Sequence, residues 1–179
     1  SNQVTRSTDP SAATRMARSC SLFSGRSGPL PKRLLNERQM AQVSDTRTPQ
    51  GIIAVVPVAA LHGVADAQPS RAIYLHEIQD PGNLGTILRT LAWFGGFRCL
   101  LSPGSVDPFN PKVVRASMGA IFHVPVEQEV SLPELGTRFR RLAKLDMRGK
   151  PVSDPAFHDH DCYLFGNEAR GVPAAAQEV

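Results

Sequence analysis

The stretch that decides the fold is RAIYLHEIQDPGNLGTILRTLAWFGGFRCLLS, residues 71–102. Its two ends, RAIYLHEI and FRCLLS, are short apolar runs of the kind that forms strands covered on both faces. Between them, apolar residues recur at the spacing of one helix face, at Leu84, Ile87, Leu88, Leu91 and Ala92. A strand, a helix and a second strand in this order predict two parallel strands joined by a crossover helix.

The rest of the chain repeats the alternation of apolar runs and helical patterns. Further strands are predicted at 51–58, 121–126 and 162–166, and further helices at 12–20, 110–120, 131–145 and from 172 onward. This order predicts an α/β fold with a mostly parallel sheet and helices on both faces. Ligands of such folds bind beyond the carboxyl ends of the strands, so the loops after residues 78, 102, 126 and 166 are expected on one rim.

Composition narrows the class of protein. The 179 residues carry a net charge of +4 with a pI of about 9.3, which permits a polyanionic partner. The sequence contains no apolar run long enough for a membrane span and no pattern of a signal peptide, so neither is expected. Cys20, Cys99 and Cys162 lie far apart without a CxxC spacing, so we expect no disulfide framework and no metal site, and a reducing cytoplasm fits.

The first 38 residues form a basic, Ser-rich arm. Its charged residues are Arg6, Arg15, Arg18, Arg26, Lys32, Arg33 and Arg38, against Asp9 and Glu37. Such an arm often follows a phosphate backbone, but it is also typical of a solvated terminus. Charge alone leaves both interpretations open.

Turn residues open the central helix. Asp80-Pro81-Gly82-Asn83 is turn chemistry, and Asn83 is predicted as the N-cap. Arg89 projects from the flank of the apolar stripe, and Gly85 is interpreted as leaving space beside its guanidinium. An arginine in such a position is most often only solvated, so this pattern by itself indicates no site.

The segment FGNEARG, residues 165–171, follows the last predicted strand. Gly166 and Gly171 would let a ligand approach the backbone closely. The spacing matches neither a Walker A loop nor GxGxxG. An ordinary tight turn is the alternative.

The segment NPKVVRASMGA, residues 110–120, begins a second helix, with Asn110 as N-cap and Pro111 in its first turn. Lys112 and Arg115 lie away from the apolar positions. They predict either a solvated basic face or a contact with phosphate.

Together and in this order, the segments DPGNLGTILRTLAWFGG, NPKVVRASMGA and YLFGNEARGVP resemble the SpoU/TrmH branch of the SPOUT RNA methyltransferases. SDTRTPQGIIAVV, residues 44–56, resembles the family's linker into its catalytic domain, so the resemblance covers residues 44–173. It implies that residues 44–179 are a catalytic domain and that residues 1–43 are the remnant of an N-terminal RNA-binding module with its linker. The family's third motif, a Ser-Leu-Asn run, is expected after the last motif but does not occur before Val179.

The resemblance also implies an activity and an assembly. Family members transfer a methyl group from S-adenosylmethionine to a ribose 2′-hydroxyl in RNA, here ribosomal RNA in preference to transfer RNA. A C-terminal trefoil knot, one of the rare exceptions to unknotted folds, and a homodimer are expected. The open alternatives are an RNA-binding paralogue without activity, a tRNA 2′-O-methyltransferase, a guanine N1 methyltransferase and an unrelated nucleotide-binding protein.

Residue roles follow from the same resemblance. The candidate catalytic residues are Asn83, Arg89 and Glu168; the candidate cofactor-binding residues are Gly166, Asn167, Glu168 and Gly171; the candidate RNA-binding residues are Arg89, Lys112, Arg115, Arg15 and Arg18. The family's arginine is sometimes described as a base. Because a guanidinium has a pKa above about 12, we expect Arg89 to pair with phosphate and to stabilise charge on the 2′-oxygen instead.

Overall fold

The structure is a computed structural model that describes residues 33–55 and 70–178. The chain divides into two compact units, Ser1–Ile53 and Ala54–Val179. The described part of the first unit contains helix α1 (Glu37–Val43), which begins with a capping box between Asn36 and Gln39 and buries none of its residues. The predicted helix at 12–20, with Arg15 and Arg18, lies outside the described residues.

The second unit contains a five-stranded sheet. Its strands are β1 (Arg71–Leu75), β2 (Phe97–Leu101), β3 (Val126–Glu127), β4 (Leu142–Leu145) and β5 (Cys162–Phe165). The strand order is β3-β2-β1-β5-β4, and every pair is parallel. The predicted parallel α/β sheet is therefore confirmed, with β1 at its centre.

Helices connect the strands. They are α2 (Pro81–Phe94), α3 (Pro111–Ala116) and α4 (Leu132–Arg138), with 3-10 helices at Ala120–Phe122, Pro155–Asp159 and Ala174–Glu178. Within the described residues, no helix combines the length and the apolar character that crossing a membrane requires.

Alternation along β1 produces two cores, one on each face of the sheet. Ile73 and Leu75 pack in one core with Leu84 and Leu88 of α2 and with other apolar residues. Ala72 and Tyr74 face the opposite core, which contains Leu135 of α4. Helices thus cover both faces, as the sequence predicts. Ala92, at the end of the predicted stripe, is exposed.

The predicted helix at 131–145 is wrong beyond Arg138. Residues 142–145 form strand β4, which pairs with β5 in the register Leu142↔Cys162. The apolar residues there fit a helical period as well as a strand. Pairing with β5 decides between them, because tertiary contacts override a local preference of this size.

The predicted strand at 121–126 is wrong over most of its length. Ala120–Phe122 is a 3-10 helix, and only Val126 belongs to a strand. Ile121 and Val124 are both buried, at the spacing of a helical turn. The helix predicted from 172 onward is a 3-10 helix at Ala174–Glu178.

The predicted strand at 51–58 is not formed over its described residues, 51–55. Ile52, Ile53 and Val55 are 60%, 41% and 92% exposed. A β-branched run indicates a strand only where another strand lies beside it, and no described strand pairs with this segment. Residues 56–58 lie outside the described part of the chain.

Candidate active site at the carboxyl ends of β1 and β5

The segments DPGNLGTILRTLAWFGG and YLFGNEARGVP meet because the strands that lead into them, β1 and β5, are neighbours in the sheet. Leu75 of β1 lies opposite Phe165 of β5, so the chain leaves both strands at the same rim. The backbone N–H of His76 donates to the carbonyl oxygen of Phe165 at 2.9 Å, which continues the pairing by one residue. The loop 76–80 and the loop 166–171 therefore lie side by side, where ligands of parallel sheets bind.

Asp80, and not Asn83, is the N-cap of α2. Its side chain accepts a hydrogen bond from the backbone N–H of Asn83 at 2.7 Å, and Pro81 follows in the first turn. The predicted cap is three residues too late along the chain. Asp and Asn are both good N-caps, so the residue types do not distinguish Asp80 from Asn83. Asp80 has the extended backbone that a cap needs. The correction leaves the side-chain amide of Asn83 available for the site.

Asn83 and Glu168 are brought together from 85 residues apart. The Asn83 Nδ2 group donates to Glu168 Oε1 at 3.4 Å, and both side chains are exposed. This hydrogen bond is long, so it holds the pair loosely. Two of the three candidate catalytic residues are thus in contact at the rim.

Asn167 shapes the loop that carries Glu168. It is 7% exposed, and its Oδ1 accepts hydrogen bonds from the backbone N–H groups of Ala169 and Arg170 at 3.0 and 3.1 Å. Its backbone pairs with that of Gly171 in both directions, at 2.9 and 2.8 Å. The Asn167 Nδ2 group also donates to the backbone oxygen of Glu77. Asn167 therefore fixes the conformation of the loop through hydrogen bonds inside the protein.

The conformation of this loop explains why glycine stands at both Gly166 and Gly171. A Cβ atom on Gly166 would overlap the backbone of Gly171 and the nitrogen of Val172, so no larger residue fits there. Gly171 has a φ of +70°, which favours glycine. Among the described residues, a Cβ atom on Gly171 would meet nothing within 4 Å, so none of them fills the space beside it.

Arg89 lies six residues beyond Asn83 on α2, roughly 9 Å along the helix axis. It is exposed, and within the described residues its guanidinium forms no hydrogen bond or ion pair. The structure therefore does not bring Arg89 into contact with Asn83 or Glu168. Its donors are available to a ligand.

The interpretation of Gly85 as leaving space beside the Arg89 guanidinium is wrong. Gly85 is buried, and a Cβ atom there would lie 2.9 Å from the backbone carbon of Ala116 and 2.9 Å from the nitrogen of Ser117. The missing side chain lets α2 and α3 approach each other. Sequence spacing relative to Arg89 contained no information about this second helix.

Helix α3 begins as predicted, with the side chain of Asn110 accepting from the backbone N–H of Lys112 at 2.9 Å. Lys112 and Arg115 are exposed, while Val113 is buried. Because Ala116 packs against Gly85, Arg115 lies on the helix next to the one that carries Arg89. Both neighbouring helices thus carry exposed basic residues.

Sequence reasoning missed Glu77. Its carboxylate forms an ion pair with Arg170, and its backbone oxygen accepts from the side chain of Asn167 at 2.8 Å. Its φ of +49° is unusual for a residue other than glycine. An acidic residue in the loop after β1 was the only local signal that Glu77 belongs to the site. Nothing near it in the sequence indicated its partner Arg170, 93 residues away.

Buried groups near the sheet are not reactive. Burial raises the pKa of the Cys99 thiol to about 12, and burial likewise raises that of Cys162 to about 12. Both thiols are therefore protonated at neutral pH and poor nucleophiles. Burial also raises the pKa of Tyr74 to about 12, and its hydroxyl donates to the carbonyl oxygen of Val130 at 3.0 Å. In the ranges 33–55 and 70–178, no group of three His, Cys, Asp or Glu residues could hold a metal ion.

Comparison with known proteins identifies the family of this chain. The model of the SpoU rRNA Methylase family matches residues 70–179. A 23S rRNA (guanosine-2′-O)-methyltransferase of Bacillus subtilis is 33% identical over 152 residues, which are 81% of this chain and 59% of that protein.

Two solved structures have the same fold. A putative RNA methyltransferase of the TrmH family from Porphyromonas gingivalis superposes with a TM-score of 0.62 at 29% identity, over 78% of this chain and 57% of the other. The AdoMet-bound rRNA methyltransferase of Sinorhizobium meliloti superposes with a TM-score of 0.64 at 24% identity, over 80% and 57%. The chain thus spans somewhat more than half the length of these relatives. Because the family model matches more than half of the chain and includes both loops of the rim, the protein belongs to the SpoU rRNA methylase family.

Proposed function

We propose that the protein transfers the methyl group of S-adenosylmethionine to a ribose 2′-hydroxyl in RNA, and that the RNA is ribosomal in preference to transfer RNA. The observation that carries the proposal is the Asn83–Glu168 contact at the rim, with Arg89 on the same helix as Asn83 and without a partner among the residues that the structure describes. The Bacillus subtilis relative is a 2′-O-methyltransferase of 23S rRNA, which supports both the target atom and the class of RNA.

We infer that the loop 166–171 binds the cofactor. S-adenosylmethionine supplies an electrophilic methyl group on a positively charged sulfur. No described residue fills the space beside Gly171, Gly166 keeps the loop narrow, and Asn167 holds the backbone in place. We assign cofactor binding to the backbone of this loop and to Glu168, whose carboxylate is exposed at its tip.

The task of the other residues is alignment, because displacement at the methyl carbon needs oxygen, carbon and sulfur in line. Such positioning can supply roughly 7–11 kcal/mol of the barrier. Asn83 orients the ribose through its side-chain amide, with Glu168 as its partner. Arg89 binds the neighbouring phosphate and stabilises negative charge that develops on the 2′-oxygen.

RNA binding extends along the basic helices. Lys112 and Arg115 are exposed next to α2 and are assigned to the phosphate backbone, where each contact makes binding more dependent on salt. Arg15 and Arg18 of the N-terminal arm belong to the same proposal. So do the N-terminal RNA-binding module in residues 1–43, the C-terminal knot, the homodimer and action in the cytoplasm, all of which rest on the family.

The test is calorimetric binding of S-adenosylmethionine to the full-length protein, followed by methylation of ribosomal RNA and mapping of the modified ribose. We expect Arg89→Ala to lower turnover by about 10²–10³-fold, because one donor to the developing charge is lost. Cofactor affinity should not change. Arg140→Ala, an exposed arginine before β4 at the other end of the sheet, is the matched control.

Two outcomes would contradict the proposal. Cofactor binding without methyl transfer to any RNA would favour an RNA-binding paralogue. Near-normal turnover of Arg89→Lys would show that a point charge suffices, and would remove the role assigned to the planar guanidinium.

A further inference from the structure

Glu77 occupies a backbone conformation that suits glycine better. Its φ is +49°, in the left-handed region, where a Cβ atom crowds the following carbonyl oxygen. It is the second residue after β1, and its side chain is 32% exposed. Backbone strain of this kind persists where surrounding contacts determine the conformation, and it gathers at functional sites.

Three contacts hold Glu77 in place. Its backbone N–H donates to the hydroxyl of Ser102 at 2.7 Å, which ties it to the end of β2. Its carbonyl oxygen accepts from Asn167 at 2.8 Å, and its carboxylate forms an ion pair with Arg170. His76 lies 3.9 Å from the other carboxylate oxygen and is the only further charged or titratable side chain that the described residues pair with it.

These contacts join the loop 76–80, which leads into α2, to the loop 166–171. Arg170 follows Glu168 by two residues, and Glu77 precedes the N-cap of α2 by three. The Asn83–Glu168 hydrogen bond is long and exposed, so it does not fix the separation of the loops by itself. Glu77 contributes a shorter contact between the same two loops, the hydrogen bond from Asn167 at 2.8 Å.

We propose that Glu77 and Arg170 form a latch that sets the position of Glu168 relative to Asn83, which makes Glu77 a positioning residue for methyl transfer. The inference rests on the proposed function. An exposed ion pair contributes little to stability, so the latch acts on geometry more than on folding. Glu77 is kept in a strained conformation because its carboxylate is needed there.

The strain provides a test that separates positioning from folding. Glu77→Gly relieves the backbone and removes the carboxylate, so the melting temperature should stay equal or rise while kcat falls. Glu129→Gly is the matched control, because Glu129 also has a positive φ, of +60°, and is exposed in the loop after β3, a strand that β2 separates from β1. It should raise the melting temperature without changing kcat.

Glu77→Gln keeps the backbone strain and removes only the charge. Displacements of about 1 Å can lower rates by about 10²-fold, so we expect a loss in kcat of between about 10-fold and 100-fold. KM for RNA should change by less than about twofold, since this change affects alignment and leaves the proposed phosphate contacts intact. Arg170→Gln should have the same effect, and the double variant should be no worse than either single variant.

Amide hydrogen exchange supplies a readout that does not need activity. In Glu77→Gln, exchange at Ala169, Arg170 and Gly171 should accelerate, because these amides close the loop. If the wild-type protein transfers no methyl group, the proposed function fails, and exchange alone decides on the latch.

Three results would overturn the latch: unchanged kcat in Glu77→Gln, additive losses in the double variant, or unchanged exchange in the loop. A raised KM for RNA in Arg170→Gln alone, with kcat intact, would instead assign Arg170 to the RNA backbone and would also contradict the latch.

Discussion

Replacing Gly85 by alanine distinguishes a packing role from a ligand-space role. In a helix, alanine is favoured over glycine by about 0.5–1 kcal/mol. Against this gain, the new Cβ atom would lie 2.9 Å from backbone atoms of Ala116 and Ser117, which no side-chain rotation can relieve. Overpacking of this kind typically costs about 1–3 kcal/mol. Because the contact is with backbone, we expect the upper part of that range and a net loss of about 1–2 kcal/mol.

The assay is urea unfolding in the absence of RNA, with thermal unfolding alongside. Each kcal/mol should lower the melting temperature by about 3–6 °C for a unit of this size. Gly136→Ala, at an exposed position in α4, is the control for helix preference and should stabilise the protein.

A Gly85→Ala variant that stabilises the free protein as much as Gly136→Ala does would refute the packing role of Gly85. Such a result would mean that the folded protein has room for a Cβ atom at Gly85. A raised KM for RNA in that stable variant would place an RNA group in that space.

Other predictions concern the cap, the loop and pH. Asp80→Ala removes the N-cap of α2 and should cost about 1 kcal/mol in urea unfolding, with Asp80→Asn nearly neutral; equal losses in both would assign the effect to charge. Gly166→Ala should abolish cofactor binding in calorimetry, because the overlap with Gly171 forces the loop apart; unchanged affinity would contradict the loop's assignment to the cofactor. The thiol pKa of Cys99 rises on folding from 9.0 to about 12, so its contribution to stability is complete below pH 9.0 and lost as pH rises towards about 12. In Cys99→Ala, the free energy of unfolding should fall less steeply with pH between pH 9.0 and about 12 than in the wild type. An equally steep fall would refute this.

Local patterns predicted the central strand, helix and strand because their signals are short-range. The apolar stripe of α2, the cap of α3 and the buried run of β5 each depend on residues within one or two turns of each other. The parallel sheet followed from the order of these elements. The same reasoning failed for 131–145, since a short apolar run satisfies either period until a neighbouring strand is present.

The sequence by itself determined which chemistry the chain presents: Asn83, Arg89 and the glycine-bounded loop around Glu168 are visible in its motifs. Only the tertiary structure decided what those residues touch. Adjacency of β1 and β5 joins Asn83 to Glu168 and Glu77 to Arg170, and the packing of α3 against α2 assigns Gly85 to the protein interior. The physical reason is that strand pairing and helix packing join residues tens of positions apart, and no local pattern encodes the partner.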